Sequence, residues 1–333
     1  MITPTFGLTA TERVLPKLAL DFTTAVLDAR VTVTRTTNAT NPATYIDSSG
    51  VITAATNNQP RFDYDPATLL CRGLLIEESR TNSLLNTDLL ATQTVTVTAA
   101  ARTLSFYGAG SITLSGAHVA VVSGTGAYPT RTTYSFTPSA GALTLTVAGT
   151  VQFAQLEAGA FATSYIPTTT TSLTRNADVV SMTGTNFSSW FNTSEGSLMF
   201  QGDTLTVANP NNMTLASFYL NGSNYIRYWM WQGQPANLRY TVVASGAGSA
   251  DIVNAITANT QFKVMSSYAT NLFRCAFNGA AASVDTSGAV PTGLTTFYIG
   301  SLDSVNEPFN GHVAKINYYS QSVTSGEVQA FSK

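Results

Sequence analysis

Residues 61 to 82, RFDYDPATLLCRGLLIEESRTN, gather Asp63, Asp65, Glu77 and Glu78 in one short span, flanked by Arg61, Arg72 and Arg80. The whole chain has only 18 acidic residues, so this concentration is the first candidate for chemistry. Asp63 with Glu77 or Glu78 could serve as acid and base of a glycosidase. Such a pair needs carboxyls roughly 5 to 10 Å apart in a cleft lined by sugar-stacking aromatics. Phe62 and Tyr64 supply rings, but the three arginines argue the other way. A guanidinium beside a carboxylate lowers its pKa and leaves no proton donor at neutral pH, and bidentate Arg–carboxylate pairs fix geometry. The stretch therefore reads as a structural clamp, with Asp65-Pro66 starting a turn and GLLIEE forming a buried strand with polar ends. Glu157, in QLEAGAFATSYIPT, raises the same question. Strand alternation places Val151, Phe153, Gln155 and Glu157 on one face and Gln152, Ala154 and Leu156 on the other. Glu157 then serves as a buried acceptor for backbone N–H groups rather than as a sugar ligand.

The remaining chemistry is sparse. His118 and His312 are the only histidines. Neither stands near a cysteine or an acidic cluster in sequence, so no metal site is expected and both read as surface or packing residues. A serine nucleophile would need a G-x-S-x-G turn, which is absent, as are a Walker loop and a G-x-G-x-x-G that opens a helix. No catalytic residue, metal or cofactor is expected. The best binding candidate is NYIRYWMWQGQ, where alternation sets Tyr225, Arg227, Trp229 and Trp231 on one face and Ile226, Tyr228 and Met230 on the other. Flat aromatics beside an arginine stack on sugar rings, and they serve a subunit contact equally well. Single aromatic strands in sandwiches mostly pack, so the contact is weighed ahead of the sugar.

These groups must be positioned by a chain of 333 residues, long enough for two or three domains. Charged residues make up 10%, against about 25% in average soluble domains, so Thr, Ser, Asn, Gln and Gly cover the surface. A net charge of -2 with no basic block excludes nucleic acid as a partner. The N-terminal run has no basic region followed by an apolar core, so no secretory leader is expected. No apolar run reaches about 18 residues, so no spanning helix is expected either. Cys71 and Cys275 fall in different expected domains and read as two free buried thiols.

Helical periodicity is almost absent. RVTVTRTT, TVTVTA, RTLSFYG, SITLSG, TTYSFTP and ALTLTVAG are short alternating runs separated by turn residues, the pattern of an all-β protein built from sandwiches. In ALTLTVAG, Leu143, Leu145 and Val147 face a core while Thr144 and Thr146 face water. The fold class is all-β: two antiparallel β-sandwiches of jelly-roll type preceded by an extended N-terminal arm. Residues 1–85 form the arm, which has little core of its own and packs on a neighbour. Residues 86–175 form a small sandwich with a Thr-rich connector, and 176–333 form a larger sandwich. Within the last, Asn278-Gly279 marks a hairpin, and Thr324 with Glu327 stand at capping-box spacing before a closing helix.

Several stretches, taken in order, carry a family resemblance. GSLMFQGD, FKVMSSYATNLFRCAFNG, PTGLTTFYIGS and FNGHVAKINYYSQSVTSGEVQAF resemble concanavalin A-like (laminin G-like) jelly rolls of bacteriophage virion proteins. VQFAQLEAGAFATSYIPT resembles the carbohydrate-binding-module-like sandwich that precedes them, and LDFTTAVLDARVTVTR, TYIDSSGVI and QPRFDYDPATLLCRGLLIEESRTN resemble the leader of the same group. The resemblance implies a non-enzymatic virion structural protein at the particle surface, made in the host cytoplasm: a tail fibre, tail tip or head decoration. It implies adhesion to host-surface polysaccharide, docking to other virion proteins through the arm, and a homo-oligomer, with a trimer favoured. The alternatives are a polysaccharide depolymerase, or a decoration without sugar binding. Some laminin G-like domains bind calcium, but no acidic-plus-carbonyl set here matches that site. Deleting residues 1 to 20 is expected to leave both sandwiches folded.

Overall fold

A computed structural model describes residues 15–207, 211–233 and 236–333. Nearly all regular structure is antiparallel strand, as the short alternating runs require. In the small sandwich, a four-stranded sheet runs in the order Ala120–Ser123, Ser111–Gly116, Gly141–Ala148, Gln93–Val97. It faces a three-stranded sheet of Thr132–Phe136, Arg102–Tyr107 and Gln152–Ala158. Leu104, Phe106, Ile112, Leu114, Leu143, Leu145 and Leu156 meet between them. Leu143 and Leu145 are buried while Thr144 and Thr146 lie on the outer face, so the period-2 reading of ALTLTVAG holds.

In the strand Gln152–Ala158 the alternation breaks. The register shifts between Gln152 and Gln155, and Phe153 adopts a φ of 47°. This bulge puts one extra residue into the strand. It turns Val151 into the same core as Ala154 and Leu156, where simple alternation had placed it on the face of Gln155 and Glu157.

The large sandwich stacks an eight-stranded sheet on a seven-stranded one. The first contains Ser283–Asp285, Leu272–Phe277, Phe262–Ala269, Glu195–Thr204 and Gly311–Tyr319. The second contains Val179–Thr183, Thr296–Ile299, Met213–Asn221, Asn224–Met230, Asn237–Ala244 and Ala247–Ala255. Phe200, Phe218, Tyr228, Tyr268, Phe297 and Tyr318 fill the space between. The helix Ser325–Phe331 has its capping box between Thr324 and Glu327, and it covers Met199, Met265 and Ala276 on the outer side of the eight-stranded sheet. Among the described residues, no helix is long and apolar enough to cross a membrane.

The N-terminal segment packs on a neighbour, and that neighbour is the large sandwich of its own chain. Leu18–Asp21 and Cys71–Ile76 both pair with Gly311–Tyr319, Phe62–Tyr64 extends the same sheet, and Thr32–Thr34 pairs with Val179–Thr183. Leu18, Leu20, Phe22, Val33, Leu74 and Ile76 belong to the large core. Runs of three to six alternating residues cannot bury both faces alone, and the last long strand offers them an open edge. This packing within the chain gives no support to the expected homo-oligomer. Residues 1–14 lie outside the described ones. Cys71 and Cys275 are free thiols, and both sit in the eight-stranded sheet rather than in separate domains. Asn278 and Gly279 do carry positive φ, yet pairing resumes only at Ser283, so their loop is long. Within the same stretch, a tight two-residue hairpin forms at Thr270-Asn271, between Ala269 and Leu272.

Candidate functional site

Two polar assemblies stand out, and the first answers the question posed by residues 61 to 82. Arg61 and Glu77 are both fully buried, just before Phe62–Tyr64 and just after Cys71–Ile76, two strands that pair with each other. Arg61 Nη1 donates to Glu77 Oε2 at 2.6 Å, to Ser164 Oγ at 2.8 Å and to the Thr44 carbonyl at 3.0 Å. Its Nη2 donates to Asp178, which also accepts from Arg35 Nη1 at 2.5 Å. Glu77 accepts further from the Ser164 N–H at 2.7 Å and the Ser164 hydroxyl at 2.7 Å, and Arg175 lies 3.3 Å away. Burial by itself would raise the Glu77 carboxyl; Arg175, Arg61 and the Ser164 hydrogen bonds outweigh it and hold the group well below the usual carboxylate range.

Glu157 joins this network through Thr163. It accepts from the Thr163 N–H at 3.1 Å and from Gln155 Nε2 at 2.7 Å, as well as from the Thr163 hydroxyl. That hydroxyl in turn accepts from Arg175 at 3.0 Å. Here burial dominates and pushes the carboxyl up against those hydrogen bonds. Five charged side chains and a sixth linked by one hydroxyl thus tie the N-terminal segment, the small sandwich and the start of the large one together. A buried ion loses water's solvation, so removing one member of such a network leaves its partner's charge uncompensated.

Asp63 has a different partner from the one its sequence neighbours suggest. Its Oδ2 lies 3.0 Å from His312 Nε2, while Asp203 Oδ1 lies 2.9 Å from His312 Nδ1. Neutral imidazole donates through one nitrogen only. With a carboxylate at each nitrogen, the surroundings favour the doubly protonated ring, which can donate to both. Burial works against that charge, but the hydrogen bonds that the ring donates to Asp203 and Asp63 outweigh it and raise the pKa. His312 therefore does stand in an acidic cluster, one assembled by strand pairing between Leu75 and His312 rather than by sequence proximity.

The other residues of the stretch are held separately. Arg72 pairs with Asp203 at 3.1 Å, and Arg80 Nε donates to Glu78 at 2.5 Å with its guanidinium over the Phe161 ring. Asp65 accepts from the N–H groups of Ala67 and Thr68 in the turn it starts. Tyr45, Asp63, Arg72, Tyr107, Arg131 and His312 line a cleft of about 140 Å³ at this junction. Of the carboxylates that line it, Asp63 is engaged by His312 and Glu77 by Arg61 and Arg175. Among the described residues, no group of three or more His, Cys, Asp or Glu is placed to hold a metal ion. His118 packs on Phe136, with ring centroids 4.5 Å apart.

The second assembly is the outer face of the seven-stranded sheet. Ile226, Tyr228 and Met230 enter the core, so Tyr225, Arg227, Trp229 and Trp231 point the other way. The Arg227 guanidinium lies 3.8 Å from the Trp229 ring centroid and 4.9 Å from that of Tyr225. Arg239, on the adjacent strand, lies 5.2 Å from Trp231. Glu307 accepts from Arg227 at 2.5 Å, Asp251 accepts from Arg239, and Trp229 Nε1 donates to Thr241 Oγ1 at 2.7 Å. The result is a row of alternating rings and guanidiniums, each guanidinium tied to a carboxylate. Trp231, 39% exposed, ends the row in solvent.

Arg35, Arg175 and Asp178 were not singled out from sequence, nor were Asp203, Arg239, Asp251 and Glu307. Arg175 and Asp178 carried a signal all the same. They are lone charges in the Thr-rich connector PTTTTSLTRNADV of a chain that spends few charges anywhere. Glu307, the carboxylate partner of Arg227, carried none.

No protein-family model matches the chain, and no curated protein matches it. Among solved structures it is similar to the CBM40 of Ruminococcus gnavus IT-sialidase bound to alpha2,3 sialyllactose. That match has a TM-score of 0.36 and 12% identity, over 43% of this chain and 84% of that one. The receptor binding domain of botulinum neurotoxin type G matches with a TM-score of 0.37 and 12% identity, over 46% and 39% of the two chains. NanB plus Optactamide gives 0.38 and 10%, over 45% and 26%. Likenesses this low reach less than half of the chain and identify no shared site.

Proposed function

We propose that the protein is a non-enzymatic binding protein that holds carbohydrate on the outer face of its seven-stranded sheet. The observation that carries this reading is the row Tyr225, Arg227, Trp229, Arg239 and Trp231, fixed by Glu307 and Asp251 and open to solvent at Trp231. Flat rings locked in place stack on pyranose faces with little loss of side-chain freedom. The non-enzymatic part is supported by Glu77, which Arg61 and Arg175 hold well below the usual carboxylate range, so that it is no proton donor near neutral pH. Screening purified protein against a glycan panel tests the reading, with Trp231→Ala as the exposed variant least able to disturb the core. Binding that Trp231→Ala weakens by about tenfold or more supports it. Release of reducing ends from a polysaccharide, abolished by Glu77→Ala, would establish a depolymerase instead. If Trp231→Ala leaves glycans unbound by either form but dissociates an oligomer in sedimentation, the row is a subunit contact.

The resemblance of the sequence to bacteriophage appendage proteins supports a finer proposal. The chain is displayed on a virion as tail fibre, tail tip or head decoration, attached to other virion proteins. Labelling purified virions with an antibody to residues 180 to 333 distinguishes these places by electron microscopy, and an unlabelled particle rules the proposal out.

A further inference from the structure

The glycan reading leaves the chemical class of the sugar open, and the groove beside Trp229 narrows it. This groove, about 320 Å³, is lined by Trp229, Thr241, Ser249, Asp251, Asp285 and Ser287 among others. One aromatic ring, three hydroxyls and two carboxylates meet there, and among the described lining residues there is no lysine or arginine. The nearby guanidinium, Arg239, is engaged by Asp251 and lies against Trp231. Asp251 also accepts from Thr241 at 3.0 Å, while its side chain remains 47% exposed. Asp285 accepts from the N–H and the hydroxyl of Ser287, both at 3.0 Å and both on Oδ1. An ionised carboxylate has about four lone-pair sites, so each aspartate keeps acceptor capacity for a ligand hydroxyl.

We infer, on the reading that this face binds glycan, that its ligand is an uncharged oligosaccharide whose hydroxyls donate to Asp251 and Asp285. Trp229 has Arg227 over its ring at 3.8 Å and Arg239 at 5.9 Å, and it also lines the groove. Same-face positions on a strand are about 6.6 Å apart, so Trp229 and Trp231 form two platforms and suit more than one sugar ring. A uronate or sialate carboxylate would meet Asp285, which forms no ion pair among the described residues, and Asp251, whose single cationic partner there, Arg239, is already engaged. Like charges brought together at an interface are strongly disfavoured.

Titration calorimetry of the full chain with neutral hexasaccharides (maltohexaose, cellohexaose, and a galactan or mannan fragment) and with oligogalacturonate and sialyl-oligosaccharides tests this. The expected result is at least about tenfold tighter binding of a neutral ligand than of any acidic one. Asp285→Asn should weaken the neutral ligand and strengthen the acidic ones, an inversion that simple misfolding does not produce. Acidic ligands that bind as tightly or more tightly overturn the inference and leave the glycan reading standing. If no ligand of either series binds, both fall.

Discussion

Replacing Glu77 by glutamine asks whether the carboxylates of residues 61 to 82 hold structure or do chemistry. The glutamine carbonyl still accepts from Ser164, so shape and part of the hydrogen bonding survive. Its amide, however, sets a donor against Arg61 or Arg175, and two fully buried guanidiniums lose one negative partner. Removing one member of a buried ion pair costs about 3–5 kcal/mol. In urea, with a slope of ~3 kcal/mol per molar for a chain of this size, the midpoint should drop by about 1 M or more. Tryptophan fluorescence reads this directly, because Trp190 lies in the large core. The pH dependence follows from the lowered Glu77 pKa. The folded carboxyl is lower than its ordinary 4.5, so its contribution is present above that value and disappears as pH falls through the folded one. Between pH 5 and lower values the natural protein should therefore lose stability more steeply than Glu77→Gln. An unchanged midpoint in Glu77→Gln, together with loss of a measured activity, would refute the clamp and restore a catalytic role.

His312 gives the opposite sign. Its raised pKa means that its contribution is complete below the ordinary 6.5 and fades as pH rises through the folded value. Thermal midpoints should fall on that alkaline limb in the natural protein and run flatter in His312→Gln. A midpoint that climbs there would contradict the imidazolium. Leu143→Ala empties a fully buried site in the small core and should cost 2–5 kcal/mol, an order-of-magnitude figure. Because all three tryptophans lie in 176–333, circular dichroism should show early loss of the small sandwich before the tryptophan signal moves if the two units unfold separately. Deleting residues 1 to 20 now carries a different expectation from the sequence reading. Leu18 and Leu20 are buried in the large core, so the truncated chain should lose about 3–6 kcal/mol. A truncated protein as stable as the full chain would mean that Leu18–Asp21 is dispensable.

Local pattern alone determined a good deal. Alternation in ALTLTVAG and NYIRYWMWQGQ decided which residues face the core, because strand side chains alternate whatever the partner strand is. Thr324 and Glu327 specified a helix start within four residues, and the arginines among the carboxylates of residues 61 to 82 already favoured a clamp. These are short-range effects of sterics, capping and charge, and they need no knowledge of the fold.

Tertiary structure alone decided who partners whom. Asp63 meets His312 because Phe62–Tyr64 and Gly311–Tyr319 flank the same strand, and Arg61 meets Asp178 across the connector. The N-terminal strands found their sheet within the chain because the last long strand had an edge to give, a pairing that no local periodicity encodes. The bulge at Phe153 and the groove beside Trp229 arise in the same way, from register between strands that the chain brings together only once it is folded. In a regular strand local alternation sets which face a side chain takes; bulges, burial, counter-charge and open surface depend on the strand that arrives beside it.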